Sequence, residues 1–196
     1  ESSDSQILKF SDSQTVIEGK LKDNVIYIND IEHKLEDISG NILDNFYRKE
    51  KISYPKFFKM DSLSKAGFIV SELMLREAGF DIETPKKDMA ILLCNRSSSS
   101  DDDLIYLQSI KDKDNYFPSP SVFVYTLPNI VAGEMAIRNK IFGETSFYVS
   151  ECYSKDMMLR QVNNVLSNQS VNYVLFGWVE ALKGNYEVEL TIIKKS

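Results

Sequence analysis

Residues 88 to 94 read Asp-Met-Ala-Ile-Leu-Leu-Cys. An apolar run without polar alternation, closed at each end by polar residues, suits a strand whose two faces are both covered. Such a strand lies inside a sheet with helices on either side, which points to a layered α/β fold. Val171 to Phe176 reads as a second buried strand, and Tyr186 to Ile193 closes the chain with Val188, Leu190 and Ile192 on one face.

Helical periodicity fills the intervals. Asp61 is placed to cap a helix in which Met60, Leu63, Ala66, Val70, Leu73 and Met74 recur at helical spacing. Phe68, Ile69 and Leu75 widen its apolar face, and Gly79 marks its end. The stretch from Ser97 through Asp101, Asp102 and Asp103 reads as a solvated polar start to a helix over Leu104 to Ile110. Pro118, Pro120 and Pro128 mark a loop before a second apolar helix, Asn129 to Asn139. Thr145 to Ser150 alternates as a strand, and Lys155 to Leu166 has helical spacing through Met158, Val162 and Leu166. The expectation is a mixed, largely buried sheet of about five strands with helices on both faces.

The N-terminal part differs. Ile7 to Phe10, Thr15 to Ile17 and Val25 to Ile28 read as short strands between polar turns, and residues 38–51 as a connector before the Tyr54-Pro55 interruption. The expected division is therefore a β ribbon and connector over 1–50 and an α/β domain over 51–196.

Composition narrows the function. The 196 residues carry 23 basic and 29 acidic side chains, a net charge of −6 and a pI near 4.9, with no dense basic cluster to follow a phosphate backbone. Nucleic acid is not an expected partner. The longest apolar stretches fall far short of the roughly 20 residues of a membrane-spanning helix. With Cys94 and Cys152 as the two cysteines, His33 as the one histidine, and no CxxC or HxxxH spacing, neither a disulfide framework nor a metal centre is expected. The eight glycines form neither GxGxxG nor GxxxxGK[ST], so no nucleotide cofactor is expected. A soluble, cytoplasmic protein is the expectation; Glu1 is preceded by no basic, apolar leader, unless one was removed.

Several motifs have a family likeness. Tyr125-Thr-Leu-Pro-Asn129, then Gly133-Glu-Met-Ala-Ile-Arg138, then Gly143, resemble the stretch leading to the nucleophile in β-ketoacyl-acyl-carrier-protein synthases of the thiolase superfamily. There a glycine opens a strand that ends nine residues later at the catalytic cysteine, and nine residues after Gly143 stands Cys152. A Gly-Gly-Ala-Glu element places its Glu 28 residues further on, which here is Glu180 of Phe176-Gly-Trp-Val-Glu180. Phe58 to Gly67 and Leu73 to Gly79 resemble the first long helix of the same half, and Ala90 to Cys94 its second core strand.

The resemblance covers the N-terminal half of a condensing enzyme and implies half of a thiolase-like layered fold. In the family the two halves cover each other's inner helices, so a half on its own is expected to expose an apolar helical face, covered by another chain or by the N-terminal segment. The active-site histidines and lysine belong to the other half, whereas His33 lies far upstream and reads as a surface or turn residue between Glu32 and Lys34.

The resemblance makes Cys152 the candidate nucleophile, close before a helix start that would favour its thiolate. Glu151 sets a negative charge beside that thiol, and Tyr153 is bulkier than the small residues flanking the family's cysteine. Cys94, inside the apolar run, reads as core.

The leading expectation is a non-autonomous, inactive or accessory β-ketoacyl-synthase-like protein of fatty-acid or polyketide-type biosynthesis. Its partner would be a second copy or a complete condensing-enzyme subunit, with acyl carrier protein as a further candidate that Lys56, Lys59 and Lys65 or Arg138 and Lys140 would have to attract. Two alternatives stand beside it. One is an acyltransferase in which a partner chain supplies histidines to Cys152, and the other an acyl- or lipid-binding module.

Overall fold

The computed structural model describes residues 13–35, 39–114 and 116–196. Its strands are β1 (Ser13–Lys22), β2 (Val25–Ile28), β3 (Ile31–Lys34), β4 (Met89–Asn95), β5 (Thr145–Val149), β6 (Tyr173–Leu182) and β7 (Asn185–Lys195). They form one mixed sheet in the order β3-β2-β1-β7-β6-β4-β5. The expected all-apolar strand is β4, buried at every position and flanked in parallel by β5 and β6. The α/β class is as expected.

The strand number is not: the described residues form seven strands rather than about five. The N-terminal ribbon joins the sheet, because β1 pairs antiparallel with β7 from Ser13↔Lys195 to Leu21↔Val188. An eleven-residue β7 without that neighbour would present a long unpaired edge. Thr15 to Ile17 and Val25 to Ile28 fall in β1 and β2, and Ile7 to Phe10 lies outside the described residues.

The helices are α1 (Ile42–Lys49), α2 (Ser62–Glu77), α3 (Ser100–Ile110), α4 (Pro120–Tyr125), α5 (Ile130–Asn139) and α6 (Lys155–Leu166). Within the expected connector, α1 is a correction: the Asn41 side chain accepts the N–H groups of Leu43 and Asp44, and Ile42, Leu43, Phe46 and Tyr47 are buried. Within the expected proline loop, α4 is another, with Pro120 in its first turn and the Ser119 hydroxyl accepting the Val122 N–H. Asp61 caps α2 as expected.

From β4 the chain crosses to β5 through α5, and from β5 it returns past β4 to β6 through α6. These two parallel crossovers run in opposite directions, so right-handed connections require α5 and α6 on opposite faces. The packing agrees. One core joins α1, α2 and α5 to the sheet through Phe46, Phe68, Met74 and Met135, and a second joins α6 through Met158, Val162 and Phe176.

Much of the exposed apolar helical surface lies in the α3–α4 layer, with Ile137 of α5 also 63% exposed. Leu104, Ile105, Leu107, Phe123 and Val124 are each 45–54% exposed, and neither helix contains a buried residue. The outward side of α6 is polar instead, with Lys155, Asp156, Arg160 and Asn164 exposed.

Candidate functional site

Neighbouring parallel strands whose outgoing connections lead to opposite faces leave a crevice at their carboxyl ends. Strands β4 and β5 meet that condition, and Cys152 stands in the loop leaving β5. Two glycines shape the approach. A Cβ at Gly143 would lie 2.1 Å from the Met89 carbonyl oxygen, so only glycine lets the chain enter β5 this close to β4. Gly177 has φ +151°, and a Cβ there would lie 1.9 Å from the Glu189 oxygen of β7.

Cys152 is exposed, and its carbonyl accepts the Ser150 hydroxyl at 3.0 Å. The helix expected close behind it starts at Lys155, with the Ser154 hydroxyl accepting the Met157 N–H. Ser154 therefore takes the cap, and the thiol stands outside the helix start. Tyr153 packs its ring against buried Trp178 at 5.9 Å between centroids. Its hydroxyl is buried without a hydrogen-bond partner, and burial raises its pKa.

Glu180 reaches the same end of the sheet from β6, on the other side of β4. It is 7% exposed and accepts the N–H groups of Arg96 and Ser97 at 2.9 and 3.2 Å, together with the Ser97 hydroxyl. Its carboxylate thus holds the loop leaving β4. Cys94 is fully buried, and burial pushes its thiol up to about 12.

His33 is neither on a turn nor fully on the surface. It sits half-buried in edge strand β3, its Nδ1 3.1 Å from Glu50 Oε1. The candidate carrier-docking cations are largely paired within the chain: Lys56 with Glu134, Lys65 with Asp44, Arg138 with Glu72 and Lys140 with Glu83, at 2.6–2.9 Å. Lys59 is exposed.

Two polar groupings escaped the sequence reading. Buried Glu72 is clamped between Arg76 and Arg138, with Arg138 giving two hydrogen bonds at 2.9 Å. Asp102, expected to be solvated, is half-buried, and burial together with the nearby charge of Asp61 pushes its carboxyl up to about 7. An acid one turn into a helix gives no sign of a distant partner. Among the described residues no group of three or more His, Cys, Asp or Glu could hold a metal ion, and no helix is long and apolar enough to cross a membrane.

A mixed sheet layered with helices, with its two parallel crossovers on opposite faces, is an architecture found in ketosynthase chains. Solved structures carry the same fold. The ishigamide ketosynthase/chain length factor superposes with a TM-score of 0.62 at 15% identity, over 76% of this chain and 47% of that one. A chain of the ketosynthase in complex with its chain length factor from Xenorhabdus doucetiae gives 0.64 at 11%, over 94% and 79%. A β-ketoacyl synthase from Burkholderia phymatum gives 0.62 at 14%, over 74% and 44%. The match thus spans about half the length of the ishigamide and Burkholderia chains. No protein-family model and no curated protein matches the sequence.

Proposed function

We propose that this chain is an accessory subunit of a ketosynthase-type condensing system, without condensing activity of its own, that pairs with a complete synthase chain. One observation carries the reading: Cys152 follows edge strand β5, whereas His33 lies on the opposite edge strand, β3. A general base must come within about 3 Å of the group it deprotonates, so this chain offers Cys152 no histidine. The Xenorhabdus complex supports pairing, because its matched chain, 79% covered by this one, is not much longer. In this reading residues 1–50 are an addition to the condensing-enzyme-like part, 51–196.

The docking surface combines the apolar α3–α4 layer with the open edge of β5, near which Ile137, Phe142 and Val149 are 58–67% exposed. Co-expression with a ketosynthase, followed by light scattering, tests the pairing; a 1:1 complex is expected, and two separate species would refute it.

A second reading rests on the exposure of Cys152: a partner's histidines make it an acyl acceptor. Mass spectrometry of the complex after incubation with acyl-carrier thioesters separates the two. An acyl adduct on Cys152 favours the second.

A further inference from the structure

Two arginines converge at the end of the sheet away from Cys152. Arg76 stands in the last turn of α2 and Arg138 in the last turn of α5, ahead of the loops that enter the parallel strands β4 and β5, whereas Cys152 follows β5. Between them lies Glu72, 1% exposed. Its Oε1 accepts Arg76 Nε and Nη2 at 3.2 and 2.8 Å and Arg138 Nη2 at 2.9 Å, and its Oε2 accepts Arg138 Nε at 2.9 Å. Nη1 of Arg76 donates to the Glu50 carbonyl at 3.1 Å, and Nη1 of Arg138 to the Ser53 carbonyl at 3.2 Å. Arg138 is also held over the rings of Tyr54 and Phe68, 5.2 and 6.0 Å from their centroids.

These side chains open on a cleft of about 380 Å³ whose other walls include Phe80, Asp81 and Ile82. Phe80 is fixed, its N–H donating to the Leu75 carbonyl at 2.9 Å and its ring meeting Tyr173 edge-on at 5.3 Å. The Asp81 carboxylate accepts the Glu83 N–H and the Thr84 hydroxyl, and the ammonium of buried Lys86 donates to the Asp81 carbonyl at 2.7 Å.

A guanidinium has five N–H groups. The bonds above use three of each, so among the described residues two remain on each arginine, and the two side chains are 42% and 16% exposed. Two guanidinium charges face one buried carboxylate, and Lys86 stands behind Asp81, so the floor of the cleft keeps a positive excess. Glu72 and the aromatic rings hold these donors in place before any ligand arrives, which lowers the ordering cost of binding. A guanidinium fork matches the planar carboxylate better than other anions of one charge, and fixed apolar walls beside it suit an apolar body.

We propose that this cleft binds a small organic monocarboxylate, with its carboxylate on Arg76 and Arg138 and its apolar part against Phe80 and Ile82. The site is separate from Cys152 and does not depend on pairing with a synthase.

Phenylacetate titrated into the isotope-labelled full chain, followed by amide NMR shifts, tests the site. Saturable shifts at Gly79 to Ile82 are expected with a millimolar dissociation constant, and phenylacetamide, which has the same shape without the charge, should give none. Arg76→Gln should weaken binding about tenfold or more, because it removes charge-assisted donors. That variant also takes a partner from buried Glu72, so Ile82→Glu supplies a second arm: it sets a like charge in the wall, leaves the Glu72 bonds intact and should weaken binding to a similar degree. No saturable shift by about 50 mM, an equal response to phenylacetamide, or unchanged affinity in either variant would overturn the site. Inorganic phosphate shifting these amides where phenylacetate does not would overturn the carboxylate assignment.

Discussion

His33 and Cys152 lie at opposite ends of one seven-stranded sheet, the histidine in β3 and the cysteine just beyond β5. At about 4.8 Å between neighbouring strands, the six intervals separate the two edges by roughly 29 Å. The histidine is held there by Glu50. The purified chain is therefore expected to form no ketoacyl product from acyl- and malonyl-carrier substrates. Product that disappears in Cys152→Ala would contradict this. The variant itself should melt within about 0.5 kcal/mol of the parent, because the thiol is exposed.

The two thiols should differ sharply toward an alkylating reagent. Cys152 is exposed, while Cys94 is fully buried with its thiol pushed up to about 12. Iodoacetamide at pH 8 should add one group to the native protein, on Cys152, and a second only in denaturant. Peptide mass mapping reads the outcome, and native labelling of Cys94 would show that the β4 core opens.

The open edge of β5 has a specific hydrogen-bonding phase. The Ser150 N–H donates to the Asn95 carbonyl and the Ile91 N–H to the Glu144 carbonyl. In a parallel ladder bonding groups alternate, so Ser146 and Tyr148 turn their backbone toward β4, and Thr145, Phe147 and Val149 turn theirs outward. Val149→Pro thus removes an outward N–H without cutting the β4–β5 ladder. It should weaken association with a second copy or a synthase by about tenfold or more, with Val149→Ala close to the parent. Sedimentation velocity decides, and equal association of both variants would rule out edge pairing.

Glu180→Ala should cost roughly 2–4 kcal/mol, since it strips a buried acceptor from the Arg96 and Ser97 N–H groups. Glu180→Gln should cost less, because its carbonyl oxygen still accepts. Urea denaturation measures both. A neutral Ala variant would mean that water replaces the carboxylate in the loop leaving β4.

Ser98→Pro should lower stability in urea denaturation, because it disrupts the loop leaving β4. Ser98 has φ +53°, and its N–H donates to Asn95 Oδ1 at 3.0 Å. Proline can supply neither.

The unbroken apolar run of β4, the cap and apolar face of α2, and the full span of α6 were legible in the sequence, because each expresses burial within one short window. Gly143 and Cys152 were singled out by a family likeness and not by periodicity, and the structure places them on either side of β5. The helix α1 carried a local sign in its cap, Asn41, but eight residues are too few to repeat a helical period convincingly. Tertiary structure alone decided that β1 extends the sheet beyond β7, that His33 is fixed on Glu50, that Glu72 lies between two arginines, and that Asp101 accepts the Lys183 N–H. Each of these joins residues distant in sequence. Local periodicity reports which side of an element is buried, whereas the partner it meets depends on how the whole sheet closes and which charges that closure leaves without water.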